Sequence, residues 1–162
     1  MSSLRTVLYT GAMGKAMNMF GILALVVVVV ALLFFMQRLS PQTTTQVIQL
    51  GGADVLVEVA TTPAARAQGL SGHEPLHDGE GMLFVFEEEG SWGIWMKDMR
   101  FALDIVWADS SGTVITIARN VTPESYPEAF YPKEPRAKYV LEVPAGYTDR
   151  IGVAEGAKLV VK

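Results

Sequence analysis

Cysteine is absent from this 162-residue sequence, which excludes disulfides, thiolate chemistry and zinc–thiolate sites together and leaves the redox compartment open. Histidine is scarce, and both copies fall in one five-residue stretch, His73 to His77. Positive charge is scarce as well once the chain is divided. Residues 1–40 hold three basic and no acidic side chains, so the 10 basic and 17 acidic residues that follow leave the remainder at −7 (10 − 17). Such a surface repels a phosphate backbone and no basic stripe offsets it, so nucleic acid is not an expected partner. Internal repeats and low-complexity segments are missing too.

What is present begins with apolar length. Met17 to Met36, MNMFGILALVVVVVALLFFM, is broken only by Asn18, and 20 residues at about 1.5 Å each span roughly 30 Å, the thickness of a bilayer's hydrocarbon core. A cleaved signal peptide would have a shorter apolar stretch and a small-x-small exit. Here the run leaves through Gln37-Arg38-Leu39-Ser40-Pro41, so a retained anchor is expected. Arg5 and Lys15 precede it, whereas Arg38 alone follows before Arg66, which orients the N-terminus inward. The expected organisation is a cytoplasmic segment at 1–16, a single signal-anchor span at 17–36, a polar linker at 37–46 and a β-rich domain at 47–162. The expected location is the cytoplasmic membrane, with the domain outside, periplasmic or extracellular.

The domain reads as mainly β (α+β): a compact, mixed, mostly antiparallel barrel-like or sandwich-like fold with two short helices. Apolar and polar residues alternate over Val55 to Val59, in parts of Trp92 to Trp107 and over Thr113 to Ala118, the period of a strand. Asp109-Ser110-Ser111-Gly112 and Glu87-Glu88-Glu89-Gly90 read as hairpin turns. One helix is fully punctuated: Thr62 caps, Pro63 opens, Ala64 to Gln68 propagate and Gly69 closes it. Ala145 to Ile151 supply a second short helix, followed by a final strand at Lys158 to Val161. Four prolines and three aromatics between Pro123 and Pro135 predict a stiff irregular loop.

His73-Glu74-Pro75-Leu76-His77 matches the zinc-protease pattern HExxH by letter, but that chemistry needs both imidazoles on one helical face. Pro75 opposes a helix there, and Gly72 and Gly79 bracket a loop, so neither a metal nor any other cofactor is expected. Ser71 lacks a nucleophile elbow.

Arg66-Ala67-Gln68-Gly69-Leu70-Ser71, Gly81 to Phe86, Trp95 to Asp98, Leu103-Asp104-Ile105 and Tyr139 to Val143 with Gly146 resemble, in order and spacing, the prokaryotic family catalogued as domain of unknown function number 192. The resemblance covers about residues 55–161. It implies a compact, mainly β fold with short helices, and no activity. Two positions depart from the family: Asp98 stands where asparagine is expected, and His73 where arginine is common.

Pairing Trp92 to Asp98 with Leu103 to Asp109 around Met99 to Ala102 would set Lys97 opposite Asp104. One face would then carry Trp95, Lys97, Asp104 and Val106, and the other Trp92, Ile94, Met96, Leu103, Ile105 and Trp107, the better core. The Lys97–Asp104 pair either fixes register or joins a recognition site of Arg66, Trp95, Lys97, Asp104 and Tyr126. An aspartate-held lysine stays protonated, which makes it a poor nucleophile. The expected function is a membrane-anchored binding module for a small molecule, an envelope polymer or a protein. The alternatives are an envelope hydrolase using Asp98, Asp104 and the histidines, and a structural scaffold.

Overall fold

The computed structural model describes residues 19–38 and 43–161, which belong to two compact units divided between Ser40 and Pro41. In the first, α1 (Met19–Arg38) is a 20-residue helix. Its side chains are described at 21–33 and 35, and all of these are exposed. Among the described residues no helix is long and apolar enough to cross a membrane. The expected segment 1–16, the start of the expected span at Met17 and Asn18, and positions 39–42 of the expected linker lie outside the described residues.

The second unit is mainly β. Its strands are β1 (Thr43–Leu50), β2 (Ala53–Ala60), β3 (Glu80–Gly90), β4 (Ile94–Trp95), β5 (Leu103–Ala108), β6 (Val114–Val121), β7 (Ala129–Phe130), β8 (Ala137–Pro144) and β9 (Leu159–Val160). Seven of them form one sheet in the order β6-β5-β8-β3-β2-β1-β9, and β4 pairs with β7 apart from it. All pairs are antiparallel except β2 with β3, whose crossover carries α2 (Pro63–Gln68), as parallel neighbours require. That helix starts as its sequence dictates. Thr62 Oγ1 accepts a hydrogen bond from Ala65 N at 3.1 Å, Pro63 sits where a missing N–H costs nothing, and Gly69 closes the turn with a φ of 49°. The second short helix is α3 (Tyr147–Arg150).

The sheet curls into a half-barrel whose two edges meet at one end. Thr113 bridges Lys158, Val114 N donates to Ala157 O at 2.9 Å, and Gly156 N donates to Val114 O at 2.8 Å. A Cβ at Gly112 would lie 2.1 Å from Leu159 O, so this closure requires glycine. The Asp109 turn joins β5 to β6 as expected, with Asp109 Oδ1 accepting from Ser111 N and Thr113 N.

Both faces of the sheet are covered. The concave core is aliphatic, built on Ile48, Leu50, Val55, Val57, Leu83, Val106, Leu141 and Val143. The convex core, under α2 and the β4–β7 pair, is richer in large soft side chains: Met82, Phe84, Phe86, Met96, Ile105 and Trp107.

Three expectations need correction. Glu87 to Gly90 do not turn; they prolong β3, with the three glutamates exposed and the register to β8 shifted between Val85 and Gly90. The linker is shorter than 37–46, because Thr43 to Gln46 pair with Val57 to Ala60. The proposed hairpin is not formed either. All six residues of β5 are buried between β6 and β8, while β4 takes Phe130 and Ala129 as partners. Even so, Ile94, Met96, Leu103, Ile105 and Trp107 share the convex core, with Trp92 packed against it, so the residues expected on the buried face do gather there. The loop between Pro123 and Pro135 is stiffened by a 3-10 turn at Pro123–Ser125 and by the two residues of β7.

Candidate functional site

Asp104 is fully buried on the concave side of β5. Oδ1 accepts from Asn120 N and Gly146 N at 2.9 and 3.1 Å, and Oδ2 from Thr148 N and Thr148 Oγ1 at 3.0 and 2.7 Å. Four donors use up its acceptor capacity for ligands. The expected Lys97–Asp104 pair therefore does not exist. Lys97 is exposed, and its Nζ lies 5.7 Å from the centre of the Trp95 ring. The physical reason lies in the segment between them. Lys97 O accepts from Ser71 Oγ at 2.9 Å, Asp98 O accepts from Gly72 N at 2.9 Å, and Met99 N donates to Met96 O, which ties 96–99 to the loop after α2. Asp98 turns there with a φ of 55°, a conformation that asparagine and aspartate enter more readily than most residues with a side chain.

Of the remaining expected site residues, Tyr126 lies beside Trp95 and Arg66 shares a cleft with it. Trp95 is 51% exposed, and its ring lies 5.8 Å from that of Tyr126, tilted by 59°. Arg66 reaches across from α2: Nη1 donates to Thr61 O and Val85 O, and the guanidinium lies 5.0 Å from the Phe86 ring centre. Arg66 and Trp95 both line a cleft of about 70 Å³, together with Gly69, Leu70, Ser71, Phe84, Ile94, Met99 and Glu142. Water's share of liquid volume is about 30 Å³, so the cleft admits a small group rather than a whole drug-sized ligand.

Glu142 was not expected, and it is the most chemically pointed residue of the cleft. It stands in β8 between Met82 of β3 and Ile105 of β5, on the convex side and only 5% exposed. Its Oε2 is buried without a hydrogen-bond partner. Burial alone pushes its carboxyl from the usual 4.5 up to about 8, so at neutral pH it is a neutral acid holding a proton to donate. The sequence signal was a single acidic residue inside the apolar run Tyr139-Val140-Leu141-Glu142-Val143, in a strand whose two faces are both covered. A buried carboxyl oxygen without a partner is rare in native folds, which makes Glu142 a candidate for a functional position.

The HExxH residues do not join this cleft. His73 to His77 lie in a loop without helix, Glu74 pairs with Arg100 at 2.7 Å, and His77 N donates to Glu80 Oε2. Among the described residues no three His, Cys, Asp or Glu side chains converge on a metal position.

Residues 46–161 match the model of a family described as DUF192, Uncharacterized ACR. Two solved structures are similar. One is a candidate transcription regulator from Sinorhizobium meliloti 1021, with 36% identity and a TM-score of 0.68 over 73% of this chain and 94% of that one. The other is a protein of unknown function from Novosphingobium aromaticivorans DSM 12444, with 28% identity and a TM-score of 0.64 over 74% and 86%. No curated protein matches.

Proposed function

The chain belongs to the DUF192 family, and from that premise we propose that it is a membrane-anchored module that binds a small ligand, or the end unit of an envelope polymer, beside Trp95. One observation carries this reading: an exposed tryptophan stands at the mouth of a cleft whose wall includes a buried, unpartnered carboxyl, Glu142. The aromatic ring offers an apolar platform, and the acid offers the few polar contacts that fix orientation. Lys97 and Tyr126 flank the platform.

A hydrolase working by paired carboxylates would need a second carboxyl at the cleft to share acid and base roles. Glu142 is the only acidic residue lining it, and Asp104 is spent on four backbone and hydroxyl donors. Recognition is therefore the better account. The regulator description belongs to the Sinorhizobium protein; a domain at −7 (10 − 17, residues 41–162) is poorly suited to DNA.

The anchor is the apolar run Met17 to Met36, long enough for one bilayer crossing, with Arg5 and Lys15 holding its leading end inside. Protease added to spheroplasts, whose outer barrier is removed, should then digest the domain, and protection of the domain would reject this orientation. For the cleft, the full chain and its Trp95→Ala variant are screened for ligands that raise the melting midpoint. A ligand that stabilises the native chain and not the variant supports the site. One that stabilises both equally places recognition elsewhere.

A further inference from the structure

The lining of the cleft narrows the ligand's chemistry, on the premise that the cleft is a binding site. Two titratable side chains line it, Arg66 and Glu142. Around Glu142, β3 and β5 present Met82, Phe84 and Ile105 on the same side of the sheet, so the sheet brings no cation to it, and Arg66 enters the cleft from α2. Arg66 commits Nη1 to two carbonyl oxygens, which pins the guanidinium at the wall, and among the described residues neither Nε nor Nη2 donates to the protein. The cleft thus combines a fixed positive charge, an acid O–H without an acceptor and room for a few atoms.

We propose that the cleft holds a carboxylate, one oxygen of which accepts a hydrogen bond from the Glu142 acid while Arg66 supplies the compensating charge. A cation would meet Arg66 and the nearby Lys97 ammonium beside Trp95. A neutral group would satisfy Glu142 and leave the guanidinium's free donors unused, whereas a carboxylate accepts from both. Trp95 covers the carbon that follows the carboxylate. The carboxylate belongs to a small free acid or to the C-terminus of a peptide.

Because burial holds the Glu142 proton to about pH 8, ionisation above that pH places like charge against the ligand and weakens it.

The test titrates the full chain, in neutral detergent, with acetate, acetamide and methylammonium, following the Trp95 indole N–H by NMR. Acetate should shift it saturably, at least tenfold more tightly than acetamide, and methylammonium should not bind. Acetate affinity should fall about tenfold from pH 7 to pH 9, as the protonated fraction of a group titrating near 8 does. Glu142→Gln keeps a neutral donor and should bind acetate without that pH dependence; Glu142→Leu should lose acetate while remaining folded. N-acetyl-alanyl-alanine compared with its C-terminal amide distinguishes the sources: preference for the free acid identifies a peptide end, and acetate binding without either dipeptide identifies a small acid. Acetamide or methylammonium binding as tightly as acetate overturns the carboxylate and leaves the cleft a binding site. Acetate binding unchanged in Glu142→Leu, or no saturable shift with acetate, overturns it as well, the latter leaving Glu142 as the seat of a bound water.

Discussion

Asp104 and Glu142 are buried carboxyl groups on neighbouring strands that point to opposite faces of one sheet. On the concave face Asp104 meets four donors from β6 and the α3 region; on the convex face Glu142 Oε2 meets none. The same chemical group serves as a clasp in one place and as an open valence in the other. What separates them is the supply of backbone N–H groups. Residues 146–148 wrap Asp104 at the start of a helix, whereas Glu142 lies mid-strand, where its neighbours' N–H groups belong to the ladder.

Breaking the clasp should have the largest effect. Asp104→Ala orphans three N–H groups and a hydroxyl, the two Thr148 donors buried and those of Asn120 and Gly146 part-buried, and should cost about 3–5 kcal/mol in urea unfolding. Lys97→Ala, by contrast, should stay within about 0.5 kcal/mol; equal losses at the two positions would restore the discarded ion pair.

The opposite sign is expected at Glu142. Its folded state keeps the proton to about pH 8, while the usual carboxyl releases it near 4.5. Its contribution is therefore full below about pH 4.5, is lost progressively as pH rises, and is gone above about pH 8. Glu142→Leu should remove that loss and stabilise the fold by about 3 kcal/mol at pH 7, from about 2.5 pH units at 1.36 kcal/mol each. A stability profile as steep as the native one in this variant would assign the pH dependence to another group.

Smaller still is Thr148→Val, which removes one of the Asp104 donors while leaving Thr148's N–H in place. It should cost about 1.5–3 kcal/mol by thermal or urea unfolding. Trp95→Ala, half exposed, should change stability by less than about 1 kcal/mol while abolishing ligand-induced stabilisation. A large loss of stability there would make Trp95 a core residue rather than a platform.

Local features of the fold were legible in the sequence. Thr62, Pro63 and Gly69 delimit α2 because caps act within four residues, and the Asp109 turn is written in its own side-chain hydrogen bonds. The separation of Ile94, Met96, Leu103, Ile105 and Trp107 from their polar neighbours was legible too. Their pairing was not. Whether β5 takes β4 or β8 as neighbour depends on residues some 40 positions away, and alternation is blind to partner. The same limit explains the site. Arg66, Trp95, Lys97 and Tyr126 could be seen as polar and aromatic groups available to a site, whereas Glu142 acquires its character only when β3 and β5 close over it. Asp104, read as half of an ion pair, is claimed instead by backbone donors that no side-chain pattern announces.

The order of the strands also governs how the protein can be made. β8 lies between β3 and β5, so the two halves of the sheet, one ending at β3 and the other comprising β5 and β6, have no seam to join until residues 137–144 leave the ribosome. The joining of the two halves is deferred to the last stretch of translation, and a chain handed early to an export channel would enter it with its sheet still unjoined.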